Sequence, residues 1–207
     1  MIHQYTKIFL RNGFTLVEVL VVIAINTLLF LVIVNSIVQI YQSNSYTFAQ
    51  SNEIDSVRRG LTVWTRDVRE MTMATNGAFP LAIVENNRLA FYGDIDRDNS
   101  VEYVEYMLAT TTLYKRTSNP VGYPSVYNVS TPDTTSILSE YVQNLNQSQV
   151  MFTYYDNSGV LMASPTAMIS DIRYIRMNII VNIDPLRSPG EFMLQSSATP
   201  RNLKDNL

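Results

Sequence analysis

The chain has 207 residues, of which 46% are apolar and only 16% charged, against about 25% charged in an ordinary soluble domain, so a hydrophobic segment is expected. The formal net charge of −3 leaves no basic excess to neutralise phosphates, and no nucleic acid partner is expected. Cysteine is absent and the only histidine is His3, which excludes thiolate chemistry and most histidine-based catalysis, so we expect a protein that is not an enzyme.

A long apolar segment begins shortly after the N-terminus. Residues 14–40 are almost entirely apolar, they follow the basic residues Lys7 and Arg11, and the next basic residue is Arg58. About 20 apolar residues in a helix span a hydrocarbon core of about 30 Å, so we predict a transmembrane segment at about residues 15–37. The positive-inside rule then places the N-terminus in the cytoplasm and the C-terminal part outside the membrane.

The residues around this segment distinguish a cleaved secretory signal from a retained anchor. A secretory signal carries a small-residue cleavage site after its apolar core, and Asn35-Ser36-Ile37 matches such a site poorly. The small residue Gly13 instead precedes the apolar run, and Glu18 lies just inside it. An unpaired carboxylate at membrane depth costs a few kcal/mol, so we expect a partner for Glu18; a side chain that reaches back to the interface is the alternative.

A motif spans this boundary: Arg11-Asn12-Gly13-Phe14-Thr15-Leu16-Val17-Glu18-Val19-Leu20. It resembles the class III signal of type IV prepilins and type II secretion pseudopilins. The resemblance implies that a prepilin peptidase removes a leader of residues 1–13 by cleaving between Gly13 and Phe14. The same peptidase would methylate the new Phe14 amine, with S-adenosylmethionine as methyl donor. It also implies that Glu18 pairs with the amine of a neighbouring subunit, so that the N-terminal helix binds other pilin subunits.

The helix is expected to continue beyond the apolar segment as an amphipathic stripe. Apolar residues recur there with steps of three and four, and arginines lie off the stripe. The stripe consists of Ile54, Val57, Leu61, Trp64, Val68 and Met71. Asn76-Gly77, with Pro80 soon after, is a helix stop. We therefore predict one helix over residues 14–76 and an extracytoplasmic, β-rich globular domain over residues 77–207.

From Leu81 the pattern changes to alternation with turn residues between short runs. The predicted strands are Leu81–Val84, Arg88–Tyr92, Val101–Leu108, Thr112–Arg116, Val150–Tyr155, Val160–Met162, Ile172–Ile183 and, as an edge strand, Phe192–Ser196. Pro120–Asp133 is predicted to be a loop. A long helix followed by an antiparallel sheet is an α+β architecture, as in the pilin-like roll that the resemblance implies.

The strand region is also similar to J-type minor pseudopilins, in Phe91-Tyr92-x-Asp94, in Val150–Gly159 and in Arg201-Asn202-Leu203. This similarity implies a minor pilin or pseudopilin, a structural subunit of a type IV pilus-like or type II secretion filament. The alternative function is a signal-anchored extracytoplasmic module that binds calcium or another ligand and does not polymerise.

An acidic run, Asp94–Glu105, has carboxylates at positions 1, 3, 5, 9 and 12, which is the ligand spacing of an EF-hand loop. Asn99 stands where that loop normally has glycine, and asparagine tolerates the left-handed backbone better than most residues. The predicted calcium ligands are Asp94, Asp96, Asp98, a carbonyl near Ser100, and either Glu102 or Glu105. The alternative is a solvated acidic turn, in which Asp and Asn are common.

Overall fold

The computed structural model describes residues 13–187 and 190–201. Helix α1 (Leu16–Arg69) precedes ten strands within these residues. The strands are β1 (Leu81–Val84), β2 (Arg88–Gly93), β3 (Glu102–Ala109), β4 (Thr112–Ser118), β5 (Pro120–Val121), β6 (Val126–Tyr127), β7 (Thr134–Ser139), β8 (Phe152–Tyr155), β9 (Tyr174–Val181) and β10 (Phe192–Ala198). Every strand pairing is antiparallel, so the α+β class is confirmed. The leader ahead of Gly13 lies outside the described residues.

The chain divides into two compact units, Met1–Thr47 and Phe48–Leu207. In the first unit, residues 13–45 are all exposed although most of them are apolar. The polar side chains of Asn26 and Thr27 donate hydrogen bonds to carbonyls four residues earlier, at 2.9 and 2.8 Å, so both are bonded to the backbone of their own helix. This part of α1 has the length and composition needed to cross a membrane once.

The described strands of the second unit form three sheets, and the two larger ones contribute to one core. The strand orders of the three sheets are β1-β2-β3-β4-β7, β10-β9-β8 and β5-β6. The helix stripe is buried against the sheets at five of its six positions, and Trp64 and Val68 are fully buried. Trp64 lies 6.4 Å from Phe152, ring centre to ring centre, in the middle of this core. The periodicity of the stripe therefore identified the face of α1 that packs in the second unit.

The helix ends at Arg69, seven residues before the predicted stop, because the sheet takes over its backbone hydrogen bonds. Met71 forms an antiparallel bridge with Gly93, and the Thr72 amide donates to the Tyr92 carbonyl at 2.9 Å. A Cβ atom at Gly93 would lie only 3.2 Å from the Glu70 carbonyl oxygen, so the missing side chain permits this approach. The segment from Met71 onward is thus attached to the edge of β2.

The predicted strands and loops differ from the structure in three places. Val160–Met162 forms only an isolated bridge, Tyr155 with Leu161, because the Asp156 carboxylate accepts the Ser158 and Val160 amides and folds the segment into a turn. The predicted loop Pro120–Asp133 contains the small hairpin β5–β6. Strand β7 was not predicted, since it lies at a sheet edge, is mostly exposed and shows no apolar alternation. The other predicted strands are present with shifts at their ends.

A buried ion network that the sequence did not reveal joins α1 to the five-stranded sheet. The Asp67 side chain is fully buried, and its Oδ2 accepts hydrogen bonds from Tyr106 Oη at 2.7 Å and Lys115 Nζ at 2.5 Å. Its Oδ1 accepts from Arg66 Nη2 at 3.0 Å. Burial, together with the Asp67 charge, raises the pKa of Tyr106 well above its ordinary value, so the phenol stays protonated and donates.

Asp67→Ala removes the counter-charge of a largely buried lysine, so we expect it to lower the free energy of unfolding by about 3–5 kcal/mol. Asp55→Ala is the matched control, because Asp55 lies on the same helix in an exposed ion pair with Arg58, and about 0–1 kcal/mol is expected there. Urea unfolding of the full chain in detergent measures both changes. Equal effects of the two substitutions would contradict the assignment of Asp67 as a structural anchor.

Candidate functional site

The predicted cleavage position lies in an open segment ahead of the helix. Gly13, Phe14 and Thr15 are not helical, and the Phe14 residue is 79% exposed. A Cβ atom built at Gly13 meets nothing within 4 Å, so the described residues leave this peptide bond free to approach. A protease can reach a peptide bond in backbone that is exposed and not helical, as this segment is.

Thr15 caps the start of the helix. Its Oγ1 accepts a hydrogen bond from the Glu18 amide at 3.3 Å, and its carbonyl accepts from the Val19 amide at 3.2 Å. Threonine followed three residues later by glutamate is the spacing of a capping box, and a carboxylate in the first turn is favoured by the helix dipole. Among the described residues, the Glu18 carboxylate has no hydrogen-bond or ion-pair partner. It is therefore available to a group outside them.

The acidic turn between β2 and β3 brings four carboxylates together. One oxygen atom from each of Asp94, Asp96, Asp98 and Glu102 lies within 4.8 Å of the others. Asp94 and Asp96 receive the amides of Arg97 and Asp98, at 2.7 and 3.2 Å. These local bonds hold the loop in a curved shape, with its side chains directed to one point.

Two residues of this loop have left-handed backbone conformations. Arg97 has φ +67° and Asn99 has φ +69°. The left-handed backbone of Asn99 agrees with its place at the glycine position of the EF-hand pattern. Arg97, although it interrupts the acidic run, does not neutralise the cluster, because its guanidinium pairs with Glu70 at 2.7 Å. No sequence pattern indicated that pairing.

Glu102 is the buried member of the cluster. It is 2% exposed, its Oε2 accepts the Ile95 amide at 2.9 Å, and its Oε1 is buried without a hydrogen-bond partner among the described residues. Burial raises the pKa of Glu102, and the charges of Asp96, Asp98 and Asp94 raise it further. Both effects disfavour the ionised form of Glu102 when no cation is bound, and a bound cation would stabilise that form.

Glu105, the alternative closing ligand, is not part of the cluster. It pairs with Ala90 of β2 in the sheet, and its carboxylate lies 2.5 Å from Arg88 Nε and 3.6 Å from Arg116 Nη1. Successive side chains of a strand alternate between faces, so residues 102 and 105 point to opposite sides of β3. The backbone amide of Ser100 donates to Asp98 at 2.7 Å, which places Ser100 beside the cluster.

Comparison with known proteins decides the nature of the N-terminal segment. The family described as the prokaryotic N-terminal methylation motif matches residues 9–34. The chain carries a prepilin-type N-terminal methylation motif. The match confirms the class III signal, and with the apolar helix it indicates a single-pass, membrane-anchored protein.

Comparison with solved structures adds a distant likeness. A chain in the crystal structure of the GspK-GspI-GspJ complex of the enterotoxigenic Escherichia coli type 2 secretion system is similar to this chain, at 12% identity and a TM-score of 0.43. The alignment covers 70% of this chain and 96% of that one. A likeness of this degree does not assign a function. No curated protein sequence matches the chain.

The raised pKa of Glu102 predicts a destabilising effect of its ionisation. In chelator, the stability of the wild type should fall as the pH rises from the ordinary pKa of 4.5 through the higher folded-state value, because the folded state holds the proton more tightly. Glu102→Gln keeps an acceptor for the Ile95 amide but does not ionise, so this fall should be absent. Thermal melting across pH compares the two chains, and parallel curves would contradict the assignment.

Proposed function

We propose that this chain is a minor pilin or pseudopilin, a non-catalytic structural subunit of a type IV pilus-like or type II secretion filament. Its N-terminus lies in the cytoplasm and its C-terminal domain outside the membrane, until the subunit enters the filament. The observation that supports this most is the methylation motif at residues 9–34 directly followed by an exposed apolar helix. A simple membrane anchor needs neither the motif nor a carboxylate inside the apolar segment.

Processing is the first step of the proposed function. The open backbone at Gly13–Phe14 is the bond that prepilin peptidase would cut, and methylation would follow on the amine of Phe14. Removal of residues 1–13 takes away Lys7 and Arg11, the basic residues that keep the N-terminus on the cytoplasmic side. The processed subunit then begins with an apolar side chain and a cationic amine at the membrane surface.

Assembly follows from the surface of α1. Residues 14–40 are almost entirely apolar and are all exposed, and a helix of that kind is stable only in lipid or among other apolar helices. The uncompensated carboxylate of Glu18 would pair with the Phe14 amine of a neighbouring subunit. Because charge pairing in a low dielectric is strong and depends on position, that pair would select one axial register between subunits.

Glu18→Val tests this role. We expect the variant to be cleaved and inserted at wild-type levels, but to be recovered in filaments about tenfold less, because the amine of the neighbour loses its counter-charge. Glu18→Asp keeps the charge and should retain much of the assembly. Quantitative immunoblotting of sheared filaments from the native host measures the incorporation. Normal incorporation of Glu18→Val would favour the alternative function, an anchored module that does not polymerise.

We further propose that the acidic turn binds one Ca²⁺ through Asp94, Asp96, Asp98, Glu102 and a carbonyl near Ser100. The ligand set is made only of oxygen atoms, which suits calcium over zinc or copper. Acidic side chains alone are common in turns, so the proposal rests on Glu102, whose carboxylate belongs to the same cluster as the three aspartates and whose Oε1 is buried without a hydrogen-bond partner among the described residues. In this arrangement an EF-hand-like loop closes a β-hairpin, and Glu102 takes the place of Glu105.

Calcium should stabilise the folded chain, by about 2.7 kcal/mol at a hundredfold excess over Kd. We expect the full chain in detergent to melt at a higher temperature with calcium than with chelator, and Asp96→Ala to abolish the shift. Glu140→Ala is the matched control, since Glu140 is exposed and lies outside the cluster, and it should keep the shift. Identical melting of the wild type in calcium and chelator would identify an ordinary acidic turn.

A further inference from the structure

An arginine-lined groove lies beside strand β10, and none of the proposed calcium ligands or assembly residues is among the described residues that line it. It has a volume of about 650 Å³. The five arginines that line it come from α1, from the β2–β3 turn and from the segment after β10; they are Arg58, Arg66, Arg69, Arg97 and Arg201. Glu70 is the acidic residue of its lining. In a chain with a net charge of −3, this is a strong local concentration of positive charge.

The groove keeps a positive surplus after its internal ion pairs are counted. Three of the arginines have a carboxylate nearby: Arg58 pairs with Asp55, Arg66 with Asp67, and Arg97 with Glu70. The Asp67 carboxylate also pairs with Lys115, so its single negative charge is divided between Lys115 and Arg66. Among the described residues, Arg69 and Arg201 have no salt-bridge partner, and both are exposed. Guanidinium groups bind carboxylates through two parallel hydrogen bonds, so these two are suited to an acidic ligand.

The wall of the groove opposite α1 is a sheet edge. Strand β10 pairs with β9 on one side, and no strand of the described residues pairs with its other side. Leu194 and Ser196 of β10 line the groove, and Ser196 is linked to Thr65 of α1 by a hydrogen bond of 2.8 Å. An open edge offers alternate N–H and C=O groups to an added strand, which is a common way to bind an extended peptide.

We propose that this groove binds an extended, acidic segment of another protein, which adds a strand to β10 and places its carboxylates on Arg69 and Arg201. Leu61 and Leu194 provide an apolar contact for the side chains between the acidic ones. A single-stranded nucleic acid fits less well, because none of the described residues that line the groove is aromatic and so none can stack on a base. The proposal does not depend on filament assembly.

The test uses the full chain in detergent and a short fluorescent peptide of alternating glutamate and valine. Fluorescence anisotropy should show binding that weakens about tenfold in Arg69→Ala and in Arg201→Ala, since each removes a charge-assisted contact. Arg59→Ala is the matched control, because Arg59 is exposed on the same helix but does not line the groove, and its affinity should be unchanged. A peptide with proline at its centre should bind weakly, because proline cannot donate to the edge of β10.

Other results would overturn the proposal. If Arg59→Ala weakens binding as much as Arg69→Ala does, the attraction is a general effect of charge and not of the groove. If a labelled single-stranded oligonucleotide binds more tightly than the peptide and loses affinity in Arg69→Ala, the groove is a polyanion site. If the peptide does not bind, or if the proline peptide binds equally well, strand addition at β10 is wrong.

Discussion

The apolar surface of the first half of α1 is the constraint on which the rest of this account depends. Residues 13–45 are exposed in the described chain, so their apolar side chains must be covered by lipid or by other helices. In the second unit the same helix carries a single stripe around Trp64 and Val68, which the sheets cover. The apolar side chains in the second half of α1 are thus covered by the sheets, whereas those in the first half need lipid or other helices to cover them. That division agrees with the proposed role as a filament subunit.

Three carboxylates in places where an isolated charge is costly differ in whether the structure supplies a partner. Asp67 is fully buried and fully satisfied by Tyr106, Lys115 and Arg66, so it contributes to structure and needs nothing else. Glu18 has no partner among the described residues, and in the proposed assembly the amine of another subunit would neutralise it. Glu102 keeps one buried oxygen without a partner next to three further acids, and a cation would satisfy it. The cost of an isolated charge at low dielectric links all three cases.

The sequence predicted the features that depend on local pattern. The helix stripe, the α+β class and most strands follow from periodicity, and the class III signal follows from a short motif that the family match confirmed. The end of α1 was misplaced because the bridge from Met71 to Gly93 is a long-range contact. For the same reason the choice between Glu102 and Glu105 needed the sheet register, which places Glu105 between Arg88 and Arg116. The groove beside β10 joins three distant segments, and no spacing reveals it.

The identity of the first residue of the chain in its native host tests the central claim most directly. Intact-mass and fragment-ion mass spectrometry should find a polypeptide that begins at Phe14 and carries one methyl group on its amine. That result is expected if the motif at residues 9–34 is processed as in prepilins. A chain that still begins at Met1, or one that is cut after Ser36 at the end of the apolar run, would contradict the account.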